Sequence, residues 1–401
     1  MTRVSDMAAK HGGNAHGVNA PTDSSVTFIV DDPDDFGRWF MGAQGVPDGK
    51  YLYARQSHPT AVHLGKMLAA MEGAEAGYAT ASGISVCGIA MLRFARAGDT
   101  IVVSDRLYGG TRMFCNMINE RFAINVIPVD TTDLAKVVHA CERRKAKLLF
   151  TEVTSNPDLV VADIPALAAI THECGIPLIV DNTFTPLTIR PIALGADVVV
   201  HSLTKYVSST SKVIAGGIVG KRDFIRSLLH PSTGLLMLLG PVLAPEVADK
   251  LRERFAALPL CFAEASKRAM DVALRFSDEG FLVLYPGLPS SPGFNRFLSM
   301  TNESDRGGVL SVVLDSYREA KRFTQLLSKS GFAKISVSLG SAHTYAFPYG
   351  SDETFSPLWK NPLPFAPIPQ GLVRIALGYE GDWRDMSLRL SRSIGMFQKT
   401  E

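Results

Sequence analysis

The sequence predicts an α/β protein with a mostly parallel central sheet, helices on both of its faces, and a smaller C-terminal α+β domain. Short apolar runs rich in β-branched residues alternate with segments of helical periodicity, which is typical of this fold class. The 401 residues exceed the usual size of one domain. A composition of 46% hydrophobic and 20% charged residues suits a sizeable core.

Composition also argues against several functions. The 41 basic and 39 acidic residues leave a net charge of +2, far too small for a protein that binds nucleic acid through charge. The N-terminal residues lack the apolar run of a signal peptide, and the most apolar stretch, Leu235–Leu239, is too short to span a bilayer. We therefore expect a protein that binds neither membrane nor nucleic acid.

The cysteines indicate the compartment. They are odd in number and contain no Cys-x-x-Cys pair, which favours reduced thiols in the cytoplasm over a disulfide framework or a zinc site. A small buried hydrophobe is the commoner role for each of them. The five are Cys87, Cys115, Cys141, Cys174 and Cys261.

The chain begins with an arm, residues 1–55, that is rich in Gly, Asp, Pro and Asn; a disordered tail is the alternative. Helical spacing of apolar residues then predicts a helix over Pro59–Met71. A small-residue turn, Ala79–Ser85, leads into another apolar helix. A glycine turn at a helix N-terminus, here at Gly83, offers backbone N–H groups to an anion, although a P-loop lysine and a Gly-x-Gly-x-x-Gly motif are both missing.

Three strands are predicted next, and a helix follows the last of them. Their order continues the α/β pattern and leads directly to the stretch Pro177–Gly220. The predicted strands are Ile101–Asp105, Ile124–Val129 and Leu148–Glu152, and the helix is Ile164–Cys174.

The stretch Pro177–Gly220 organises the predicted site. It contains three β-branched runs, each ending in polar or glycine residues, as buried strands of a parallel sheet do when their carboxyl ends open onto a ligand. Asp181 ends the first run and Lys205 closely follows the second. We therefore expect a carboxylate and an amine at one rim of the sheet.

Two hydroxyl residues, Ser202 and Thr204, bracket the approach to Lys205 and suit a phosphate. A solvated loop lysine is the commoner explanation for a lysine after a strand. The combination of lysine, acid and phosphate donors, however, is what a pyridoxal 5′-phosphate (PLP) site requires.

The last part of the chain predicts a smaller sheet with helices on one face. Arg374 lies within one of its apolar strands, where an unpaired charge would be costly; a structural ion pair is the alternative to a ligand contact. A helix beginning at Pro245 is predicted to bridge the two domains. The predicted elements of the small domain are strands Gly308–Leu314, Ile335–Gly340 and Leu372–Gly378 and a helix Tyr317–Ser330.

The motifs resemble one family over nearly the whole chain. Asp181-Asn182-Thr183-Phe184 with His201-Ser-Leu-Thr-Lys205-Tyr206 is similar to the PLP-attachment region of the Cys/Met-metabolism enzymes, which include cystathionine γ-synthases and lyases, methionine γ-lyases and O-acylhomoserine sulfhydrylases. The resemblance implies a fold-type-I PLP enzyme. It also implies a homotetramer with active sites shared across a dimer interface, an arm at 1–55, a PLP-binding domain at 56–255 and a C-terminal domain at 256–401.

The resemblance also implies roles for individual residues. Lys205 would bind PLP covalently and act as the base, with Asp181 on the pyridine nitrogen. Tyr108 would stack on the ring and serve as an acid, and Arg374 with Ser338 would bind the substrate carboxylate. Other contacts would come from Ser202, Thr204 and the Gly83 and Ile84 amides to phosphate, from Asn156 to cofactor and substrate, and from Tyr53 and Arg55 to the partner's site.

Several positions depart from the family pattern. His58 stands where asparagine is common, and Thr154 replaces a proline of the turn that holds Asn156. Lys212 follows the cofactor lysine where relatives carry another motif. His343 replaces a common glutamate, and the stretch 347–353 replaces a histidine-rich one. Because His343 and the stretch 347–353 line the substrate side-chain pocket in the family, the resemblance implies a substrate that differs from the usual sulfur amino acids.

The resemblance implies γ-elimination or γ-replacement on a homoserine- or sulfur-type amino acid, a transsulfuration chemistry. Gly109-Gly110 favours a cystathionine-type enzyme or an O-acylhomoserine sulfhydrylase, because many methionine γ-lyases have cysteine in place of Gly110. A methionine γ-lyase or a lyase for another γ-substituted amino acid is the alternative. A PLP aminotransferase and a non-catalytic PLP-binding protein remain further alternatives.

Overall fold

Seven strands form the larger sheet of the computed structural model, which describes residues 21–42, 45–350 and 363–399. In chain order they are β1 (Ala76–Thr80), β2 (Thr100–Ser104), β3 (Asn125–Val129), β4 (Leu149–Glu152), β5 (Leu178–Asp181), β6 (Val198–Ser202) and β7 (Gly216–Gly220). Their order in the sheet is β1-β7-β6-β5-β4-β2-β3. All neighbours pair in parallel except β7, which is antiparallel to both β1 and β6. The prediction of a mostly parallel sheet is confirmed.

The direction of β7 corrects one expectation. The third β-branched run was predicted to bring its carboxyl end to the site, as the first two do. Because β7 is antiparallel to β6, its first residue, Gly216, lies opposite Ser202 and its last, Gly220, opposite Val198. The amino end of β7 therefore reaches the rim that carries the site.

Among the described residues, eight helices precede the helix that leads into the smaller domain. Apart from the first, which lies in the arm, they contribute to two separate cores on the two faces of the larger sheet, one containing Leu68 and Val199 and the other Ile89 and Val200. They are α1 (Pro33–Met41), α2 (Pro59–Glu72), α3 (Gly83–Phe94), α4 (Gly109–Arg121), α5 (Leu134–Arg143), α6 (Ile164–Glu173), α7 (Arg222–Leu229) and α8 (Leu235–Leu239), with a 3-10 turn at Pro191–Leu194.

The long helix α9 (Pro245–Asp278) links the two cores. Phe255 and Phe262 belong to the core of the larger sheet, whereas Val272 and Phe276 belong to that of the smaller one. The predicted bridging helix is confirmed. The predicted domain boundary at 255/256 falls inside it.

Within the described residues, the smaller sheet contains the strands β8 (Leu282–Leu284), β9 (Val309–Val313), β10 (Lys334–Ile335), β11 (Tyr345–Tyr349) and β12 (Leu372–Ala376), in the order β10-β11-β12-β9-β8. The helices of this domain are α10 (Phe294–Ser299), α11 (Tyr317–Lys329) and α12 (Trp383–Gln398). One face of the sheet packs under α9, α11 and α12, as predicted. On the other face, Ser311 donates to the Pro157 carbonyl of the large domain at 2.7 Å.

The predicted strand Ile335–Gly340 is wrong beyond its first residue, because β10 ends at Ile335. The carbonyls of Val337 and Ser338 accept hydrogen bonds from Arg374 instead of joining the sheet, and Gly340 has a φ of +66°. Where the chain passes the candidate site, hydrogen bonds from the Arg374 side chain thus replace the backbone pairing of a β-sheet.

The described part of the arm is anchored on the large domain. The Ser232 hydroxyl donates to the Phe40 carbonyl at 2.5 Å, and Trp39 of α1 is buried. The predicted arm residues 1–20 and 43–44, and residues 351–353 of the divergent stretch, lie outside the described residues. None of the helices in the described ranges has the length and apolarity to cross a membrane.

Candidate active site

Three polar side chains end adjacent strands at one rim of the larger sheet. Glu152 ends β4 and lies in register with Asp181, which ends β5, and Ser202 ends β6. The backbone N–H of Thr183 donates to Asp181 Oδ1 at 2.9 Å, and the Cys87 thiol lies 3.8 Å from Oδ2. Burial raises the pKa of Asp181 above its ordinary value, against these hydrogen bonds. A cation placed here would be strongly favoured.

Lys205 projects from the turn that follows β6. Its Nζ donates to Ser338 Oγ at 3.2 Å, and no ion pair within the described ranges involves it. Burial, and then the positive charge of Arg374, lower the pKa of Lys205 to about 8. Roughly a tenth of the amine is therefore neutral and nucleophilic at pH 7, far more than for a lysine of ordinary pKa.

Arg374 is 2% exposed and faces the large domain from β12. Its Nη1 donates to Asn156 Oδ1 at 2.9 Å, and its Nη2 donates to the carbonyls of Val337 at 2.7 Å and Ser338 at 3.2 Å. Its Nε is buried and has no partner among the described residues. Among the described residues no carboxylate pairs with Arg374, so the alternative of a structural ion pair is not met there, and the free Nε donor fits a carboxylate ligand.

Tyr108 stands at the start of α4. Its backbone N–H donates to Glu152 Oε1 at 2.6 Å, and its side chain is half exposed. Burial of the rest of the ring raises the pKa of Tyr108. A Cβ at Gly110 would lie 2.6 Å from the Tyr108 ring, so the glycine allows this ring position.

The turn before α3 brings backbone donors to the same rim. Ser82 caps the helix by accepting from Ser85 N at 3.2 Å, a bond that does not use the amides of Gly83 and Ile84. A Cβ on Gly83 would lie 2.8 Å from the Ser202 Cβ, so only glycine permits this close approach. The helix end and Ser202 together form a cradle for an anion.

Thr204 differs from the predicted phosphate donor in its contacts. Its hydroxyl donates to the Ala215 carbonyl at 3.2 Å and accepts from the Ala215 N–H at 3.1 Å. This exchange fastens the lysine turn to the residue before β7. The phosphate role of Thr204 stays a prediction.

Tyr53 and Arg55 lie apart from these residues. Arg55 Nη1 donates to the Met237 carbonyl at 3.0 Å, and its Cζ lies 5.5 Å from the centre of the Tyr53 ring. Neither makes a described contact with Lys205, Asp181 or Arg374. Within one chain the structure does not bring this pair to the site.

The divergent positions have separate surroundings. His343 pairs at the surface with Glu380, at 2.6 Å between Nδ1 and Oε2, and Lys212 is exposed. Tyr349, from the stretch 347–353, lies against the site, with its ring centre 5.6 Å from Arg374 Cζ.

Sequence reasoning missed several neighbours of the site. Glu152 and Cys87 flank Asp181, and the Thr183 hydroxyl accepts from Ser202 N at 2.8 Å. Glu152 carried a usable signal, since it ends a buried strand as Asp181 does. Cys87 carried none, because its contact comes from another element.

A buried hydrogen-bond network lies beneath the rim of the larger sheet that carries the candidate site. Glu72, at the end of α2, lies 2.6 Å from His201 Nε2, and Asn182 Nδ2 donates to the same carboxylate oxygen at 2.8 Å. All three side chains are buried. The network joins the residues that follow Asp181 and precede Ser202.

Comparison with known proteins gives the family. The model of the Cys/Met metabolism PLP-dependent enzymes matches residues 4–393. A methionine γ-lyase of Arabidopsis thaliana is 38% identical over 92% of this chain and 84% of its own length. An L-methionine γ-lyase of Porphyromonas gingivalis is 33% identical over 93% of this chain and 92% of its own.

A solved structure agrees. A putative O-acetylhomoserine (thiol)-lyase of Campylobacter jejuni, 26% identical, superimposes with a TM-score of 0.86 over 98% of this chain and 99% of its own, and holds N′-pyridoxyl-lysine-5′-monophosphate. The predicted fold-type-I architecture is thereby confirmed.

The residues present fit PLP. Lys205 offers an amine that has no acidic partner in the described contacts. Asp181 offers a buried carboxylate that has no lysine or arginine partner there, and the turn at Gly83 beside Ser202 offers N–H groups to a phosphate. The family match over nearly the whole chain and this donor set point to the same cofactor. The chain belongs to the Cys/Met metabolism PLP-dependent enzyme family.

Proposed function

We propose that the protein catalyses γ-elimination or γ-replacement on an α-amino acid that carries a sulfur or ester substituent on its γ-carbon. The arginine site carries the proposal: Arg374 is buried, keeps Nε free, and lies near Lys205. A substrate with a carboxylate and an amine on one carbon satisfies both groups at once.

Each residue has a defined task in this proposal. Lys205 would hold the cofactor and would take the substrate α-proton as general base. Asp181 holds a proton on the pyridine nitrogen, and Tyr108 delivers a proton to the leaving group. Bound PLP supplies the electron sink for the negative charge that develops on the substrate.

Two substrate classes are supported by different observations. The similarity to methionine γ-lyases favours elimination from methionine. Gly109-Gly110, and the similarity to an O-acetylhomoserine (thiol)-lyase, favour a homoserine ester or cystathionine. The substrate panel below decides between them.

We propose further that the enzyme is a cytoplasmic homotetramer in which Tyr53 and Arg55 complete a neighbouring subunit's site. The lack of a described contact between this pair and Lys205 within one chain supports this, as does the apolar surface near Arg55, where Leu238 and Leu239 are 57% and 59% exposed. Five free thiols agree with a reducing compartment.

The test is steady-state turnover of methionine, cystathionine and O-acylhomoserine, the last with and without a thiol. We expect a 2-oxo acid with ammonia, or a thioether product. Arg374→Lys should raise KM about tenfold or more while the protein keeps its PLP, because a single ammonium replaces a bidentate donor. PLP-loaded protein that forms none of these products would refute the proposal, and oxo-acid-dependent amino transfer would indicate an aminotransferase.

A further inference from the structure

Glu152 is a buried acid to which the proposed mechanism gives no task. It is 6% exposed and stands beside Asp181, in register on the adjacent parallel strand. Its Oε1 accepts the backbone N–H of Tyr108 at 2.6 Å. It therefore touches the residue proposed to move the leaving-group proton while lying next to the residue proposed to hold the pyridine nitrogen.

The hydrogen bond places Tyr108. Tyr108 is the N-cap residue of α4 and has no side-chain cap bond of its own. Arg112, one turn along the helix, donates to the Leu107 carbonyl at 2.7 Å, so both polar groups of the peptide between Leu107 and Tyr108 are bound. Without the Glu152 acceptor, the amide of Tyr108 would lack its buried partner and this peptide would be held from its carbonyl side alone.

Two carboxylates cannot both keep a full charge at this depth. Burial and the charge of Asp181 raise the pKa of Glu152 well above its ordinary value, and Asp158 adds to this. The Tyr108 amide and the more distant charge of Arg112 oppose the shift, and the Cys87 thiol beside the pair is itself neutral. Asp181 has the richer set of donors, from Thr183 and Cys87, and is the better site for the charge.

We propose that Glu152 is a positioning residue that works as a neutral acid: it holds Tyr108 in place and leaves the negative charge of the pair on Asp181. The inference rests on the proposed function, because it assumes that Tyr108 and Asp181 face the cofactor. It assigns Glu152 a task in geometry and none in proton transfer.

Two substitutions distinguish the role of Glu152 as a hydrogen-bond acceptor from a role of its charge. Glu152→Gln keeps a carbonyl oxygen for the Tyr108 amide and carries no charge, so kcat should stay within about threefold of the wild type. Glu152→Ala removes the acceptor, and kcat should fall about tenfold or more because Tyr108 is displaced. Glu142→Gln, at an exposed position on α5, is the matched control and should change nothing.

A second readout does not depend on turnover. The visible circular dichroism of bound PLP reports the asymmetry around its ring, so it should be preserved in Glu152→Gln and reduced in Glu152→Ala. A Glu152→Gln protein that loses activity and dichroism would overturn the proposal, because the residue would then be needed as an anion. Unchanged dichroism in Glu152→Ala would overturn it too.

Two further outcomes are informative. If Glu152→Ala does not fold, Glu152→Gln alone decides between a neutral and a charged role. If the wild type turns over no substrate of the panel, the proposed function fails while the dichroism comparison still tests Glu152.

Discussion

At the scale of single residues, the proposed chemistry depends on a lysine amine whose surroundings disfavour its charged form. Lys205 is mostly buried, has a serine hydroxyl as its partner, and faces a second cation. Both conditions favour the neutral amine, so the residue is activated before any ligand arrives.

The pH dependence of cofactor uptake tests this activation. The pKa of Lys205 is lowered to about 8 from 10.5, so the neutral, attacking fraction should rise with pH around 8. The rate of PLP uptake by apoprotein, followed in stopped flow, should show that inflection. Arg374→Met should move the inflection upward by removing a positive charge, whereas uptake that rises only near pH 10 would contradict the account.

The positions of single residues could be predicted from the sequence where they follow from the neighbouring residues. Asp181 and Lys205 follow buried runs, and their place at one rim follows from parallel pairing. The tie between Glu152 and Tyr108 could not be predicted, because it joins residues of two elements through a backbone amide. The engagement of the Thr204 hydroxyl by Ala215 was hidden for the same reason.

At the scale of elements, the anion cradle depends on how closely α3 approaches β6. Gly83→Ala would place a Cβ 2.8 Å from the Ser202 Cβ, so the helix start must shift. We expect the dissociation constant for PLP to rise about tenfold or more, which corresponds to about 1.4 kcal/mol or more. Equilibrium dialysis measures it.

Gly37→Ala is the control for this substitution, since no atom lies within 4 Å of the added Cβ in α1. Its PLP affinity should match the wild type. Unchanged affinity in Gly83→Ala would show that the cradle does not hold the phosphate.

The network beneath the rim stabilises the same elements. Glu72→Ala leaves His201 and Asn182 buried without their shared acceptor, and the free energy of unfolding should fall by about 3–5 kcal/mol. Glu72→Gln should lose less, because its amide oxygen still accepts from Asn182. Denaturant unfolding checks both, with Glu120→Ala, exposed on α4, as a control. Equal losses in Glu72→Ala and Glu120→Ala would contradict this role.

The sequence predicted whether a segment is a helix or a strand better than it predicted the direction in which a strand runs. The β-branched content of Gly216–Gly220 predicts a strand but carries no information on its orientation, which is set by pairing with β1 and β6. The stretch after Ile335 has strand-like composition, yet its carbonyls bind Arg374. Hydrogen bonds to elements distant in the sequence determine both the direction of β7 and the conformation after Ile335.

At the scale of the whole molecule, the site proposed here needs two chains. Arg55 and Lys205 do not meet within one chain, so each site would combine the lysine of one subunit with the arginine of another. Lys205→Ala and Arg55→Ala should each be nearly inactive alone. Mixed dimers purified through two tags should contain one intact site in two and recover about half of the wild-type activity. Mixed dimers as inactive as their parents would mean that sites are not shared.

The most direct test of the account is where the cofactor is attached. Borohydride reduction of the PLP-loaded protein followed by peptide mapping should place a single phosphopyridoxyl group on Lys205, and Lys205→Ala should yield no labelled peptide. A label on a different lysine, or an undiminished label in Lys205→Ala, would contradict the central claim.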